Sequence, residues 1–292
     1  MTGKKPKRLQ KQARDRKPRK DQTERIKIHR EFLKSDRWDE WRKLKTDQRK
    51  GVPPPPPEKP YPKDAKLISL VSPEQLTIGK MPLIEAIGRR RSRRVYTDEP
   101  FTLEELSFLL WATQGISKTT PRDVSEDPHK ASTAARAVLR TVPSAGARHP
   151  FETYLLVNRV KGVEPGLYRY LQLENKLCLL SVYPELTKKV HEANFEQYVE
   201  KSAVTFIWTA IPYRTEWRYS MLSPKAIAQD SGHMCQNLYL ACEAIGAGTC
   251  AVGAYDQRKM DKVLGVDGEE EFTIYVAPAG KVKNPVESRP KN

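Results

Sequence analysis

This chain of 292 residues has few cysteines, no long apolar run and no apolar N-terminus. Its four cysteines, Cys178, Cys235, Cys242 and Cys250, form no C-x-x-C pair, which argues against a structural zinc site. Reduced thiols are the plain reading, and no metal is expected. The best apolar run, Ser202–Ile211, is strand-sized, well short of the roughly 20 residues of a membrane-spanning helix. The opening residues lack the apolar core of a secretory signal and the serines of a transit peptide. A cytoplasmic location follows as the expectation. There is no internal repeat, and no Ser-His-Asp or Cys-His arrangement.

Acidic residues are scarce at one end. The formal net charge is +16, and residues 1–50 hold 20 Lys and Arg against 8 Asp and Glu. The remaining 242 residues are close to balanced, 32 against 28. Residues 1–22 have little to bury and read as a basic disordered tail. Residues 23–80 read as a helical and proline-rich extension, and 81–292 as the folded domain. Within the extension, Ile28, Phe32, Trp38, Trp41 and Leu44 recur at roughly helical spacing, as in one or two short docking helices. Gly51–Asp64 contains five consecutive prolines, which impose an extended form: a stiff spacer, or a ligand for a proline-binding domain.

The folded part predicts an α+β architecture. Thr102 and Glu105 sit at capping-box spacing before a helix that Gly115 stops. Residues 116–140 are polar and read as a mobile loop. Strands are predicted at 152–158, 166–173, 176–181, 202–210 and 271–281, and a long helix from about Pro224 to Gly246. Hairpins rather than regular β–α alternation argue against a doubly wound fold. Gly246–Ala251 fits G-x-G-x-x-A, but a helix precedes it and a strand-like run follows. That order is the reverse of a dinucleotide fingerprint.

The chemistry gathers around Arg89–Arg94, five arginines about one serine. Repulsion disfavours such a cluster unless solvent or an anion accommodates it. A phosphate dianion suits forked guanidinium groups and a hydroxyl; a solvated or nucleic-acid-facing patch is the plainer alternative. Two small-residue loops, Val142–Pro150 and Cys250–Asp256, could approach a flat ligand, and Lys281 and Lys283 return basic groups near the end of the chain.

This ordered series resembles the FMN-dependent nitroreductase superfamily, in its SagB-type, azoline-dehydrogenase-like branch. "RRRSRRVY", "PFTLEELSFLLWATQGI", "RTVPSAGARHPFETYLLVN", "PGLYRY", "QDSGHMCQNLYLACEAIGAGTCAVGAYD" and "APAGK" follow in the family's order, over about residues 25–281. The resemblance implies a mainly antiparallel sheet wrapped by helices, with FMN at a homodimer interface and NADH or NADPH as electron donor. It implies that Arg90 and Ser92 hold the FMN phosphate and that Arg94 lies near the flavin N1/O2 edge. Pro143, Ser144, Ala145 and Gly146 match a flavin-reaching loop of the partner subunit. Val252, Gly253 and Ala254 match the backbone opposite the ring, and Lys281 a phosphate contact.

Two departures stand out. Ala147 occupies a position where many relatives carry Asn, with Arg148 or His149 as replacements. Arg218–Tyr219 stands where azoline dehydrogenases carry a proton-handling Lys-Tyr pair. Arginine cannot become a base, so Tyr219 is the one proton-handling candidate of the pair, or else a packed aromatic. His233, on the long helix, reads as a buried hydrogen-bonded residue or a catalytic one, Asp230 as helix-internal or capping, and Trp208 and Trp217 as core or pocket wall. The expected activity is electron transfer between reduced nicotinamide and a small organic acceptor. The alternatives are a peptide-modifying dehydrogenase working with a partner enzyme, and a nucleic-acid-binding protein acting through its tail.

Overall fold

A computed structural model describes residues 19–121 and 136–283. The basic stretch 1–18 lies outside the described residues, as does the middle of the expected 116–140 loop. Residues 19–22, read with the tail, form the first turn of helix α1 (Arg19–Glu31). A short helix α2 (Trp38–Lys43) follows, and then strand β1 (Leu67–Ser69). Next come α3 (Leu83–Arg89) and α4 (Leu103–Gln114). The ends of the expected loop are instead a two-stranded antiparallel pair, β2 (Ile116–Pro121) with β3 (Arg136–Arg140). The sequences ISKTTP and RAVLR mix polar and apolar residues on both sides, so the regular hydrophobic alternation that betrays a strand is missing.

The remaining elements are β4 (Phe151–Val157), β5 (Gly166–Leu171), β6 (Lys176–Ser181), α5 (Leu186–Ala193) and β7 (Val204–Ala210). They continue with α6 (Tyr213–Tyr219), α7 (Ser223–Ala244), β8 (Ala247–Thr249), α8 (Gln257–Leu264) and β9 (Phe272–Lys281). Seven strands form one antiparallel sheet in the order β1-β6-β5-β4-β7-β9-β8. The expected α+β class is what forms.

The two central strands, β4 and β7, are buried along their whole length. Successive side chains alternate between faces. Leu155, Phe206 and Trp208 meet Leu106, Leu109 and Leu110 of α4 and Met234 and Leu238 of α7. Tyr154, Leu156 and Ile207 join Val190 of α5 and Met260 and Leu264 of α8 in a second core. A sheet covered on both faces explains why β7 falls within the best apolar run of the chain.

Helix α4 has the predicted capping box. The Glu105 N–H donates to Thr102 Oγ1 at 3.1 Å, and the Thr102 N–H donates to Glu105 Oε2 at 2.9 Å. Asn175 takes the left-handed backbone, φ 52°, that closes the β5–β6 hairpin.

The proline-rich stretch is bonded into the body and is no free spacer. Extended polyproline backbone satisfies none of its own carbonyls. Pro57 O accepts from Arg140 at 3.1 Å, and Lys59 O and Pro60 O accept from Arg169 at 3.0 and 2.9 Å. The Lys59 N–H donates to buried Glu152 at 3.0 Å, and Glu152 also accepts from Arg214 at 2.5 Å. Burial and the neighbouring Arg214 push the Arg140 guanidinium down to about 10.

Candidate functional site

Two clusters of predicted residues form, at opposite ends of α7. The first is built on the turn after α3. Ser92 bridges Thr249 of β8 in parallel, and the Arg93 N–H donates to Thr249 O at 2.9 Å. This close approach needs glycine at position 248, where a Cβ would lie 2.4 Å from both Cβ and Cγ of Arg93. Tyr239 of α7 closes the junction: its hydroxyl lies 3.1 Å from Ser92 Oγ and accepts the Ala251 N–H at 2.8 Å. Thus one phenol touches both the arginine turn and the segment entering Val252–Ala254. Sequence reasoning passed over Tyr239; within an amphipathic helix nothing separates it from a core aromatic.

The arginines divide by partner. Arg89 pairs with Glu85, and Arg93 lies 3.6 Å from the buried carboxylate of Glu243. The same Glu243 oxygen accepts the Arg91 N–H at 3.3 Å. Among the described residues the guanidinium groups of Arg90, Arg91 and Arg94 meet no carboxylate, and that of Arg91 folds back on Gly88 O and Arg90 O at 3.2 and 2.7 Å. Arg90 lies over the Tyr239 ring at 5.4 Å, and Arg94 is 6.0 Å from the Tyr198 ring and donates to Ser92 O at 3.3 Å. A cleft of about 460 Å³ is lined by Ser92, Arg94, Tyr96, Val282 and Lys283, among others. Val252 is buried and exchanges backbone hydrogen bonds with Val276 at 2.7 and 3.2 Å. Gly253 and Ala254 are exposed, with open space where a Gly253 Cβ would stand. Lys281 points elsewhere: its ammonium pairs with Glu105 and donates to Ile245 O at 3.2 Å.

The second cluster is the Pro143–Gly146 loop. Asp230, toward the start of α7, accepts the Ser144 hydroxyl at 2.7 Å and the Ala145 N–H at 3.0 Å. Ser144 Oγ in turn accepts the His149 N–H at 2.9 Å. Burial pushes the Asp230 carboxyl up, against the pull of those two hydrogen bonds. Gly146, Ala147 and His149 all take positive φ, at 58°, 52° and 47°. A Cβ on Gly146 would stand 2.7 Å from the Tyr219 hydroxyl and 3.0 Å from Arg218 Cδ. The loop and the Arg218–Tyr219 pair are therefore one site. Arg148 and His149 are buried, Arg148 against the Trp217 ring at 4.6 Å. Burial, with Arg140 and Arg148 nearby, pushes His149 down to about 3, so its ring is neutral. His233, read as buried, is exposed, 3.8 Å from Asp230. Trp208 and Trp217 are core, as read. No group of His, Cys, Asp and Glu among the described residues could hold a metal ion.

Residues 87–281 match the model of the Nitroreductase family. The chain belongs to that family. As a nitroreductase-family protein it is an oxidoreductase of the flavin-using kind. It is 29% identical over 205 residues to a nitroreductase-named protein of Methanocaldococcus jannaschii, covering 70% of this chain and 93% of that one. It is 29% identical over 133 residues to the trifolitoxin-processing protein TfxB of Rhizobium leguminosarum, covering 44% of this chain but 36% of that one. Among solved structures, a nitroreductase-named protein from Anabaena variabilis shares the fold. The TM-score is 0.58 at 23% identity, over 76% of this chain and 42% of that one. The expected fold is thereby that of the nitroreductases. The family match begins just before the arginine turn and ends at Lys281, so it spans both clusters but leaves out the extension.

Proposed function

We propose that this nitroreductase-family protein binds FMN and passes electrons from NADH or NADPH to a small organic acceptor. One observation carries the reading: Tyr239 draws the Ser92 hydroxyl and the Ala251 backbone to the same point, beside Arg90 and Arg94, which meet no carboxylate among the described residues. The residues present fit the cofactor. Arg90 and Ser92 would hold its phosphate through charge-assisted hydrogen bonds. Arg94 would place positive charge at the edge where reduced flavin is anionic. Exposed Gly253–Ala254 backbone would face the ring. Bound FMN supplies hydride acceptance and electron release; the chain's own part is to hold, orient and screen. Lys281, neutralised by Glu105, is the weakest of the proposed phosphate contacts.

The loop cluster is proposed to serve a second copy of the chain. Asp230 and Tyr239 are nine residues apart on α7, about 13 Å along its axis, so one protomer keeps loop and arginine turn apart. Beside the arginine turn, Leu83, Ile84 and Ile87 of α3 and Val95 are exposed. An apolar patch of this kind fits a homodimer whose partner brings its Pro143–Gly146 loop to the cofactor.

Purified protein should be yellow with a flavin spectrum. Arg90→Ala combined with Ser92→Ala should weaken FMN retention by several kcal/mol at most, since each charged hydrogen bond contributes about 1.5–3 kcal/mol. A double variant that keeps flavin as tightly as the parent sinks the phosphate assignment. A second reading, oxidation of a peptide heterocycle, draws on the likeness to the toxin-processing protein and on Tyr219. Its hydroxyl makes no hydrogen bond among the described residues and borders the loop cluster. Turnover of an azoline peptide in place of quinones and nitroaromatics would favour it.

A further inference from the structure

Helix α6, which ends in Arg218–Tyr219, is seven residues long. A helix so short has little stability of its own. Ser220, directly after it, has φ 47° and ψ −124°, a conformation that is costly for a residue with a side chain. Surroundings must hold such a backbone in place. They are supplied by residues 38–52 of the N-terminal extension, which lies outside the family match.

Trp41 makes the central contact. Its ring stacks on Tyr219, centroids 6.0 Å apart at 27°, and its indole N–H donates to Arg218 O at 3.2 Å. Trp38 meets the same tyrosine edge-on at 6.3 Å. Arg49 covers Trp41 with its guanidinium 4.2 Å from the ring. Arg49 also donates to the carbonyls of Trp41, Arg42 and Leu44 at 2.9, 3.1 and 2.7 Å, which ties the end of α2 together. The rest of the segment grips the same helix. The Gln48 N–H donates to Trp217 O at 2.9 Å, Trp217 Nε1 donates to Val52 O at 2.8 Å, and the Tyr213 hydroxyl donates to Asp47 at 3.0 Å. These contacts run along α6, and the end that Trp41 covers, Arg218–Tyr219, reaches Gly146 of the loop cluster.

We propose that residues 38–52 are a built-in clamp, and that Trp41 is a positioning residue that sets the Tyr219 hydroxyl against the Pro143–Gly146 loop for proton transfer to or from the acceptor. Trp41 acts on that chemistry through Tyr219. The proton-transfer role given to Tyr219 presupposes the flavin reading above; the clamp itself rests only on the contacts just given.

The test uses the full-length chain with Trp41→Ala, Trp41→Phe, Tyr219→Phe and the Trp41→Ala/Tyr219→Phe pair. Amide hydrogen exchange over 213–222 reads the clamp without reference to flavin, and should speed up by roughly tenfold or more in Trp41→Ala. Stopped-flow then separates flavin reduction by nicotinamide from reoxidation by acceptor. Reduction should hold, while reoxidation slows by roughly tenfold to a hundredfold and its pH profile shifts. The double variant should be no slower than Tyr219→Phe alone. If Trp41→Ala does not fold, Trp41→Phe carries the test: it keeps a stacking ring but loses the indole N–H, so a smaller change in the same direction is expected. Unchanged exchange over 213–222 in whichever variant folds overturns the clamp. Faster exchange with multiplicative rate losses in the pair overturns the positioning of Tyr219. Faster exchange in a protein that never binds flavin supports the clamp and refutes the flavin reading instead.

Discussion

Tyr239 joins segments that lie 159 positions apart at their ends, Ser92 and Ala251, through one hydroxyl. Tyr239→Phe keeps the ring beneath Arg90 but leaves the Ala251 N–H without its acceptor. A loss of about 1–2 kcal/mol is expected, read as a lower Tm, together with lower flavin content. His149 is the residue with the clearest pH signature. Its folded pKa is pushed down to about 3, below the ordinary value of 6.5, so the unfolded chain binds a proton first as pH falls. Its contribution to stability is intact above pH 6.5 and declines as the pH falls from there toward 3, with a slope of up to roughly 1.4 kcal/mol per pH unit. His149→Gln should therefore lose less Tm than the parent between neutral pH and pH 5. Equal losses in the two proteins would show that the ring is protonated in the fold.

At the scale of elements, two glycines make opposite predictions. Gly88 lies in the exposed last turn of α3 with nothing within 4 Å of an added Cβ, so Gly88→Ala should raise stability by about 0.5–1 kcal/mol. Gly248 lies in β8 against Arg93, and Gly248→Ala should push the arginine turn off the sheet. Loss of flavin together with a falling Tm is expected for Gly248→Ala, but not for Gly88→Ala. Thermal melts and absorbance spectra of the two variants decide this. The capping box of α4 shows how far local chemistry carries: Thr102 and Glu105 are three positions apart at the helix start and needed no tertiary context to be read. The β2–β3 pair and α6 were missed for the converse reason. The pair has no regular apolar alternation to read, and α6 has no periodicity long enough to count; its neighbours in the extension keep it helical.

At the scale of the whole molecule, the proposed dimer makes the sharpest prediction. Ile84, 83% exposed beside the arginine turn, should tolerate a charge in a monomer and not in a dimer interface. Ile84→Asp is expected to give a monomer by sedimentation that retains its fold but binds FMN weakly; a yellow, flavin-saturated monomer would remove the second copy from the site. The extension belongs to this scale too. β1 extends the sheet through β6, and residues 57–60 occupy buried arginines, so a chain truncated before residue 66 should expose unpaired guanidinium groups and fold poorly.

The sequence by itself determined the α+β class, most of the helices and strands, and the ordered motifs of the family. Each is written in local periodicity, turn chemistry or residue order along the chain. Only the tertiary structure decided that Arg93 meets Glu243 while Arg90 and Arg94 meet no carboxylate among the described residues, that Tyr239 reaches Ser92 of the arginine turn, and that Trp41 lies on Tyr219. Those facts depend on which distant groups share the space around a side chain. Pairing of charges and stacking of rings act over a few ångströms, and separations of 147 to 178 positions in the chain carry no trace of them.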